Sequence, residues 1–165
     1  MTSATTSTPW DREKAAEVIA AHQNLEGPAL PILHALQETF GHVPEDAVPL
    51  LADALNLSRA DVHGIVSFYH DFREAPAGRH VVKLCRAEAC QSMGGHALAE
   101  GLLRRLGLDW GGTTGDGQVT IEPVYCLGLC ACAPAALIDG RPLGRLNRER
   151  LDAAVNEARN DWSTP

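Results

Sequence analysis

Four cysteines in two pairs constrain this 165-residue chain more than any other feature of its sequence. Cys85 and Cys90 are separated by four residues, and Cys126 and Cys130 are separated by three. Each pair lies where a predicted strand gives way to a turn. Because strand ends are rigid and can converge, these two junctions can present four thiols to one metal site.

The spacing of the thiols distinguishes between kinds of metal site. Structural zinc sites with four thiolates usually contain at least one C-x-x-C pair, and the sequence has none. Intervals of four and three residues fit an iron–sulfur cluster better, and a [2Fe–2S] cluster needs four thiolates, two per iron. We therefore predict that Cys85, Cys90, Cys126 and Cys130 ligate one [2Fe–2S] cluster, and a structural zinc site is the main alternative.

The residues around the cysteines predict electron transfer rather than bond-making chemistry. No carboxylate, histidine and nucleophile set accompanies the thiols, so we predict no catalytic residue in the chain. Gly128 is predicted to let backbone N–H groups approach sulfur, and Arg86 to offset the negative charge of the cluster. Cys132, the fifth cysteine, is predicted to be a small buried residue rather than a ligand.

The first half of the chain has helical periodicity, and the second half has the pattern of a small sheet. The predicted helix starts are Thr8 as an N-cap, Pro28 or Pro31, Pro44, and Ser58 with Asp61 as a capping box. Strands are predicted over residues 80–85, 119–125, 136–138 and 141–143, and the last two flank an Asp-Gly turn. Residues 110–117 are predicted to be a flexible turn without the ending of a phosphate loop.

The overall composition restricts the classes of partner and the compartment. The net charge of −7, with scattered lysines and arginines, argues against a nucleic-acid-binding protein. No stretch reaches the length of a membrane helix, and the first residues lack a secretion signal. Residues 1–8 are predicted to be a disordered tail, and the default compartment for clustered reduced thiols is the cytoplasm.

The cysteine motifs and their flanks resemble those of a known family, the 24-kDa-type subunits of respiratory complex I. The matching stretches are residues 62–70 with the sequence VHGIVSFYH, residues 85–90, residues 126–130, and the Ala133-Pro134 pair that follows. Within that family, residues 85–94 look most like the gamma subunit of cytoplasmic NAD-dependent formate dehydrogenases that contain molybdenum or tungsten. The diaphorase module of NAD-reducing hydrogenases has similar subunits.

The resemblance implies a fold, a function and a set of partners. The implied fold class is α+β, with an N-terminal helical bundle over residues 9–74 and a thioredoxin-like [2Fe–2S] ferredoxin domain over residues 79–165. A proline beside a thioredoxin-like site is often cis, so the peptide bond before Pro134 is predicted to be cis. The implied function is electron transfer in a formate:NAD+ oxidoreductase. The implied partners are a flavoprotein subunit with FMN, the NAD site and its own iron–sulfur cluster, and a catalytic subunit with molybdopterin. The alternatives are the equivalent subunit of a hydrogenase diaphorase or of complex I, or a zinc-stabilised interaction module.

Overall fold

The structure, a computed structural model, describes residues 8–160, and these residues divide into two compact units between Pro76 and Ala77. The tail predicted over residues 1–8 lies outside the described residues except for Thr8. Residues 161–165, the end of the predicted ferredoxin domain, also lie outside them. Within the described part of the chain, no helix has both the length and the apolar character needed to cross a membrane.

Residues 8–76 form four helices around one apolar core. The helices are α1 (Arg12–His22), α2 (Ala29–Phe40), α3 (Ala47–Leu55) and α4 (Arg59–Phe68). Phe40, Ile32, Leu36 and Leu51 are among the fully buried side chains at their centre. Burying apolar surface is the main favourable term in folding, so this core accounts for the packing of four short helices that would be marginal alone.

The helix starts differ from the prediction in two places. Asp11, and not Thr8, is the N-cap of α1, because its carboxylate accepts hydrogen bonds from the backbone N–H groups of Glu13 and Lys14. The third helix begins at Ala47, three residues after Pro44. Pro49 is then the third residue of α3, where a backbone N–H would have no partner inside the helix, so this proline is tolerated.

The other two predicted helix starts are confirmed. Pro28, one of the two prolines expected to open the second helix, precedes α2, and Gly41 ends that helix in the left-handed conformation with φ of 78°. Ser58 and Asp61 form the predicted capping box at the start of α4. Phe68, the last residue of α4, is 74% exposed, and Tyr69 after it is 43% exposed.

Residues 77–160 form a four-stranded mixed sheet with helices α5 to α7. The strands are β1 (His80–Cys85), β2 (Val119–Val124), β3 (Ala136–Ile138) and β4 (Arg141–Leu143), in the order β2-β1-β3-β4. The helices are α5 (Glu88–Ser92), α6 (Gly95–Leu106) and α7 (Arg148–Asn160). β1 and β2 are parallel, whereas β3 pairs antiparallel with both β1 and β4.

The connections between these strands determine which strand ends lie at the same edge of the sheet. β1 and β2 are parallel and joined through α6, so their carboxyl ends lie at the same edge of the sheet, and Cys85 is paired with Val124. The antiparallel β3 starts at that edge too, because Ala136 is paired with Leu84. The segment that carries Cys126 and Cys130 therefore leaves and re-enters the sheet beside the end of β1.

The Asp-Gly hairpin is confirmed, but the predicted flexible turn is not. Asp139 and Gly140 both have positive φ, 49° and 78°, as a tight hairpin turn requires. Residues 110–117 were predicted to be a flexible turn, yet this segment pairs with β2. Gly111 donates to the Ile121 carbonyl at 2.8 Å, and Ile121 donates to that of Gly112 at 3.1 Å.

Candidate metal centre

The first cysteine pair lies at the end of β1 and in the short helix α5. Cys85 is the last residue of β1, and its backbone N–H donates to the carbonyl of Ala135 at 3.0 Å. Cys90 is the third residue of the five-residue helix α5, so it precedes the long helix α6 rather than starting it. Both side chains are buried.

The second pair lies in the connection between β2 and β3. Cys126 and Cys130 are exposed, and Cys130 begins a short 3₁₀ turn that ends at Cys132. The backbone N–H of Gly128, whose φ is 71°, donates to the sulfur of Cys126 at 3.3 Å. This confirms that Gly128 lets an N–H group approach sulfur, because the left-handed conformation is open to glycine without steric cost.

The two pairs meet at Cys90. Burial raises the pKa of the Cys90 thiol, and the neighbouring Cys85 and Cys130 raise it further, whereas a backbone hydrogen bond from Ala135 lowers it. Leu127 and Leu129, which lie between Cys126 and Cys130, pack against the buried cluster of Cys85, Cys90 and Ala135, so the second motif lies against the first pair. Crowded thiols resist ionisation in the absence of a cation, and a bound metal removes that cost because it takes the thiolate form.

The surroundings of the thiols are apolar. Cys85, Cys90 and Ala135 form a small buried cluster of their own. The partly buried residues packed against it are Ala87, Val124, Leu127, Leu129 and Ala133. An apolar shell of this kind limits the access of water to a metal site and so affects its reduction potential.

The residues that could hold a metal cluster are the two cysteine pairs. Within residues 8–160, no group of three His, Cys, Asp or Glu side chains has the geometry to hold a single metal ion. A [2Fe–2S] cluster is held by two thiolates on each iron, so it needs two pairs of sulfurs. Cys85, Cys90, Cys126 and Cys130 are the thiols that the strand ends supply at this edge.

Cys132 is the last residue of the 3₁₀ turn that Cys130 begins. It is half-buried, and its carbonyl accepts a hydrogen bond from the backbone N–H of Arg145 at 2.6 Å. Its Cβ would lie 2.7 Å from a Cβ placed on Gly144, so the turn packs directly against the end of β4.

Arg86 lies next to the site in a fixed position. Its guanidinium lies over the ring of Trp110 at 4.9 Å from the ring centre. Its backbone N–H donates to the carbonyl of Val124 at 2.7 Å. The cation–π contact holds the guanidinium over Trp110, and the strand pairing holds the Arg86 backbone directly after Cys85.

Ala135 and Gly95 contribute to the site but were not predicted to. Ala135 bonds to both members of the first cysteine pair, and it follows the Ala133–Pro134 peptide bond, which is cis as predicted. Gly95 packs so closely that an added Cβ would lie 2.6 Å from the carbonyl oxygen of Cys90. Both act through the backbone, and only the proline beside Ala135 gave a sequence signal.

Comparison with known families gives one match that spans most of the chain. The family model for thioredoxin-like [2Fe–2S] ferredoxins matches residues 15–159. The match includes all five cysteines.

Two curated relatives illustrate the proteins that the chain is similar to. A subunit of the NADH-quinone oxidoreductase of Pseudomonas aeruginosa is 38% identical over 112 residues, which are 67% of this chain and 67% of the relative. The NADP-reducing hydrogenase subunit HndA of Solidesulfovibrio fructosivorans is 31% identical over 132 residues, 80% of this chain and 77% of the relative.

A solved structure is also similar. The crystal structure of an NAD+-reducing [NiFe]-hydrogenase in the H2-reduced state aligns with a TM-score of 0.62 and 30% identity. The alignment covers 77% of this chain but only 22% of the hydrogenase chain, so the chain spans about a fifth of that protein.

Proposed function

The chain belongs to the thioredoxin-like [2Fe–2S] ferredoxin family, which carries one [2Fe–2S] cluster, and we propose that it is an electron-transfer subunit of an NAD-linked oxidoreductase complex. The observation that carries the proposal is the packing of the second cysteine motif against the first, since Leu127 and Leu129, which lie between Cys126 and Cys130, contact the buried cluster of Cys85, Cys90 and Ala135 at the end of β1. A bound [2Fe–2S] cluster supplies single-electron transfer.

Cys85, Cys90, Cys126 and Cys130 are the proposed ligands. The burial of the first pair and the exposure of the second support this role, because one side of the site is then shielded and the other faces a partner. The N–H groups of Gly128 and Ala135 donate to ligand sulfurs, and such hydrogen bonds favour a more negatively charged site. Arg86, held over Trp110, acts in the same direction.

Metal analysis and cysteine substitution test the ligand set. Wild-type protein is expected to contain two irons and two acid-labile sulfides per chain. Changing any of the four proposed ligands to serine should lower the iron content and change the paramagnetic spectrum of the reduced protein, whereas Cys132→Ser should leave both nearly unchanged. Iron loss in Cys132→Ser would overturn the ligand set. One zinc and no sulfide in the wild type would support the interaction module instead.

The specific parent complex proposed is a cytoplasmic NAD-dependent formate dehydrogenase. The support is the resemblance of residues 85–94 to its gamma subunit. In that complex the chain would dock on a flavoprotein that binds FMN and NAD, and a third subunit would hold molybdopterin and oxidise formate. The proposed domains are residues 9–74, as a helical bundle, and residues 79–165, which bear the cluster.

The relatives favour a second candidate parent. Two similar proteins are subunits of an NADH-quinone oxidoreductase and of an NADP-reducing hydrogenase. Purification of the intact complex separates the possibilities by metal content and activity. Molybdenum or tungsten with formate-dependent reduction of NAD+ supports the formate enzyme. Nickel together with hydrogen-dependent reduction of NAD+ would identify a hydrogenase as the parent, and quinone reduction by NADH would identify complex I. Either result would overturn the formate enzyme as the parent but leave the electron-transfer role in place.

A further inference from the structure

Positive charge is concentrated in a short segment that follows the second cysteine motif. Residues 141–150 contain four arginines and one acid, Glu149, in a chain whose net charge is −7. All four arginines are exposed. The concentration is local, because residues 8–76 contain four lysines and arginines against eleven acids.

Arg145 and Arg150 in this segment have no acidic partner in the described part of the chain. Arg148 is paired, since its Nε lies 3.5 Å from the carboxylate of Asp152. Arg145 and Arg150 form no ion pair with any residue between 8 and 160. Their charges are therefore available to a group from another molecule.

Arg145 and Arg150 line the same open depression beside the cysteine turn. Its volume is about 410 Å³. The other lining residues are Leu129, Cys132, Pro142 and Gly144. None of the lining residues is acidic, so the depression combines an apolar surface with two guanidinium groups. Leu129 immediately precedes the proposed ligand Cys130, which places this surface next to the metal centre.

The backbone holds Arg145 in this place at a cost. Its φ is 52°, a left-handed conformation that disfavours residues with a Cβ. Two hydrogen bonds fix the segment against the cysteine turn. Arg145 donates to the carbonyl of Cys132 at 2.6 Å, and Leu146 donates to that of Pro134 at 3.0 Å. Glycine would adopt this conformation freely, so an arginine there points to a use for its side chain.

We propose that Arg145 and Arg150 bind carboxylates of the flavoprotein partner, so that an acidic segment of that partner docks beside the second cysteine motif. The inference rests on the proposed function, because it names the surface through which the electron-transfer subunit meets its partner. Guanidinium groups suit this role because they form paired, directional hydrogen bonds with carboxylates. The apolar Leu129 and Pro142 give a protein partner contact area that a small anion would leave uncovered.

Charge reversal in the assembled proteins tests the inference. The double variant Arg145→Glu/Arg150→Glu is titrated against the purified flavoprotein subunit of its own complex at several salt concentrations. We expect the dissociation constant to rise at least roughly tenfold at low salt, and the dependence of association rate on salt to weaken. The matched control is Arg104→Glu, because Arg104 is an exposed arginine in the last turn of α6 that does not line the depression.

Arg145→Gly separates docking from folding. Glycine removes the guanidinium but suits the left-handed backbone, so the melting temperature should stay the same or rise while docking weakens. The spectrum of the isolated variant should match that of the wild type, which shows that the cluster is intact.

The failures of the two proposals are distinguishable. If the wild-type chain neither binds the flavoprotein nor exchanges electrons with it, the proposed function fails. If the wild type docks and the double variant docks equally well, or no worse than Arg104→Glu, only the docking inference fails. The isolated wild-type chain could instead bind inorganic phosphate saturably, with the double variant losing that binding but docking normally. That result would identify a site for free anions and overturn the proposal that the two arginines bind the flavoprotein.

Discussion

The thiol of Cys90 is positioned by residues that are distant from it in the sequence or that have no side chain. Ala135 reaches its sulfur with a backbone hydrogen bond, and Gly95 allows the start of α6 to lie against its carbonyl. Neither residue has a group that could bind a metal. The geometry of the proposed ligand set therefore depends on backbone contacts as much as on the cysteines.

Gly95→Ala is expected to damage the metal centre without touching a proposed ligand. A Cβ at this position would lie 2.6 Å from the carbonyl oxygen of Cys90 and 3.0 Å from its carbonyl carbon, and backbone cannot yield as a flexible side chain can. Overpacking of this kind costs about 1–3 kcal/mol. We expect lower stability and a lower iron content per chain, measured by urea unfolding and metal analysis.

Gly101→Ala in the same helix is the matched control for Gly95→Ala. A Cβ there would meet only the end of the Arg105 side chain, at 3.1 Å. Alanine has the higher helix propensity, so stability should rise by up to about 1 kcal/mol with unchanged iron content. Equal iron content in Gly95→Ala and the wild type would contradict the importance of this close approach.

At the scale of elements, α7 is tied to the loop before β2 by a cluster of polar groups around Asp116. The side chain of Thr114 and the Arg159 guanidinium both bond to its carboxylate, and the backbone N–H of Gln118 adds a third contact at 3.1 Å. These three hydrogen bonds hold the pKa of Asp116 well below its usual range, and the bond from Thr114 has the largest effect, followed by those from Arg159 and Gln118. The cluster explains why residues 110–117 are ordered along β2 although their glycines predict a flexible turn.

The contribution of Asp116 to stability should depend on pH. Because its pKa is lower in the folded state than in the unfolded state, its stabilising effect is complete above the unfolded pKa of about 3.9. The effect is lost as the pH falls through the folded pKa. Asp116→Asn should therefore be less stable than the wild type from pH 5 to 7, and the difference should shrink below about pH 4. Urea unfolding of iron-free protein measures this difference.

Arg159→Gln is the control for the pH dependence of Asp116. It removes one partner but keeps Thr114, which has the larger effect on the carboxylate. Its difference from the wild type should have the same sign of pH dependence and a smaller size. A difference between Asp116→Asn and the wild type that stays constant down to pH 3 would show that the ionised carboxylate is not stabilised in the folded state.

How far an element could be predicted depended on whether its signal was local. The strand over His80–Cys85, the Asp139 turn and the capping box at Ser58 were predicted because each depends on residues within a few positions of one another. The predicted start of α3 was wrong because a proline is compatible with several positions near the start of a helix, so Pro44 alone did not fix the first residue.

Of the groups that form the site, only the cysteine side chains could be predicted from the sequence. The cysteines are recognisable by residue type and spacing, and their places at strand ends predicted that the two pairs would meet. The parallel pairing of Cys85 with Val124 accounts for that meeting. The contacts of Ala135 and Gly95 could not be predicted, since a backbone group carries no residue-specific signal and its partner is set by tertiary structure.

At the scale of the whole chain, the two units differ in charge and have separate cores. Residues 77–160 contain ten lysines and arginines against nine acids, whereas residues 8–76 are strongly acidic. The main buried cluster around Leu36 draws only on residues 15–72, and that around Ile121 draws only on residues 82–158. All five cysteines lie in the second unit.

Because the second unit has its own core and all the proposed ligands, residues 77–165 should fold and assemble the cluster without residues 1–76. The sheet is complete within it, and its apolar core includes fully buried Val82, Ile121 and Leu151. We expect the fragment to match the full chain in iron and sulfide content and in the absorption and paramagnetic spectra of the site. A fragment that is unfolded, or that folds without iron under conditions that load the full chain, would show that the metal centre requires the helical unit.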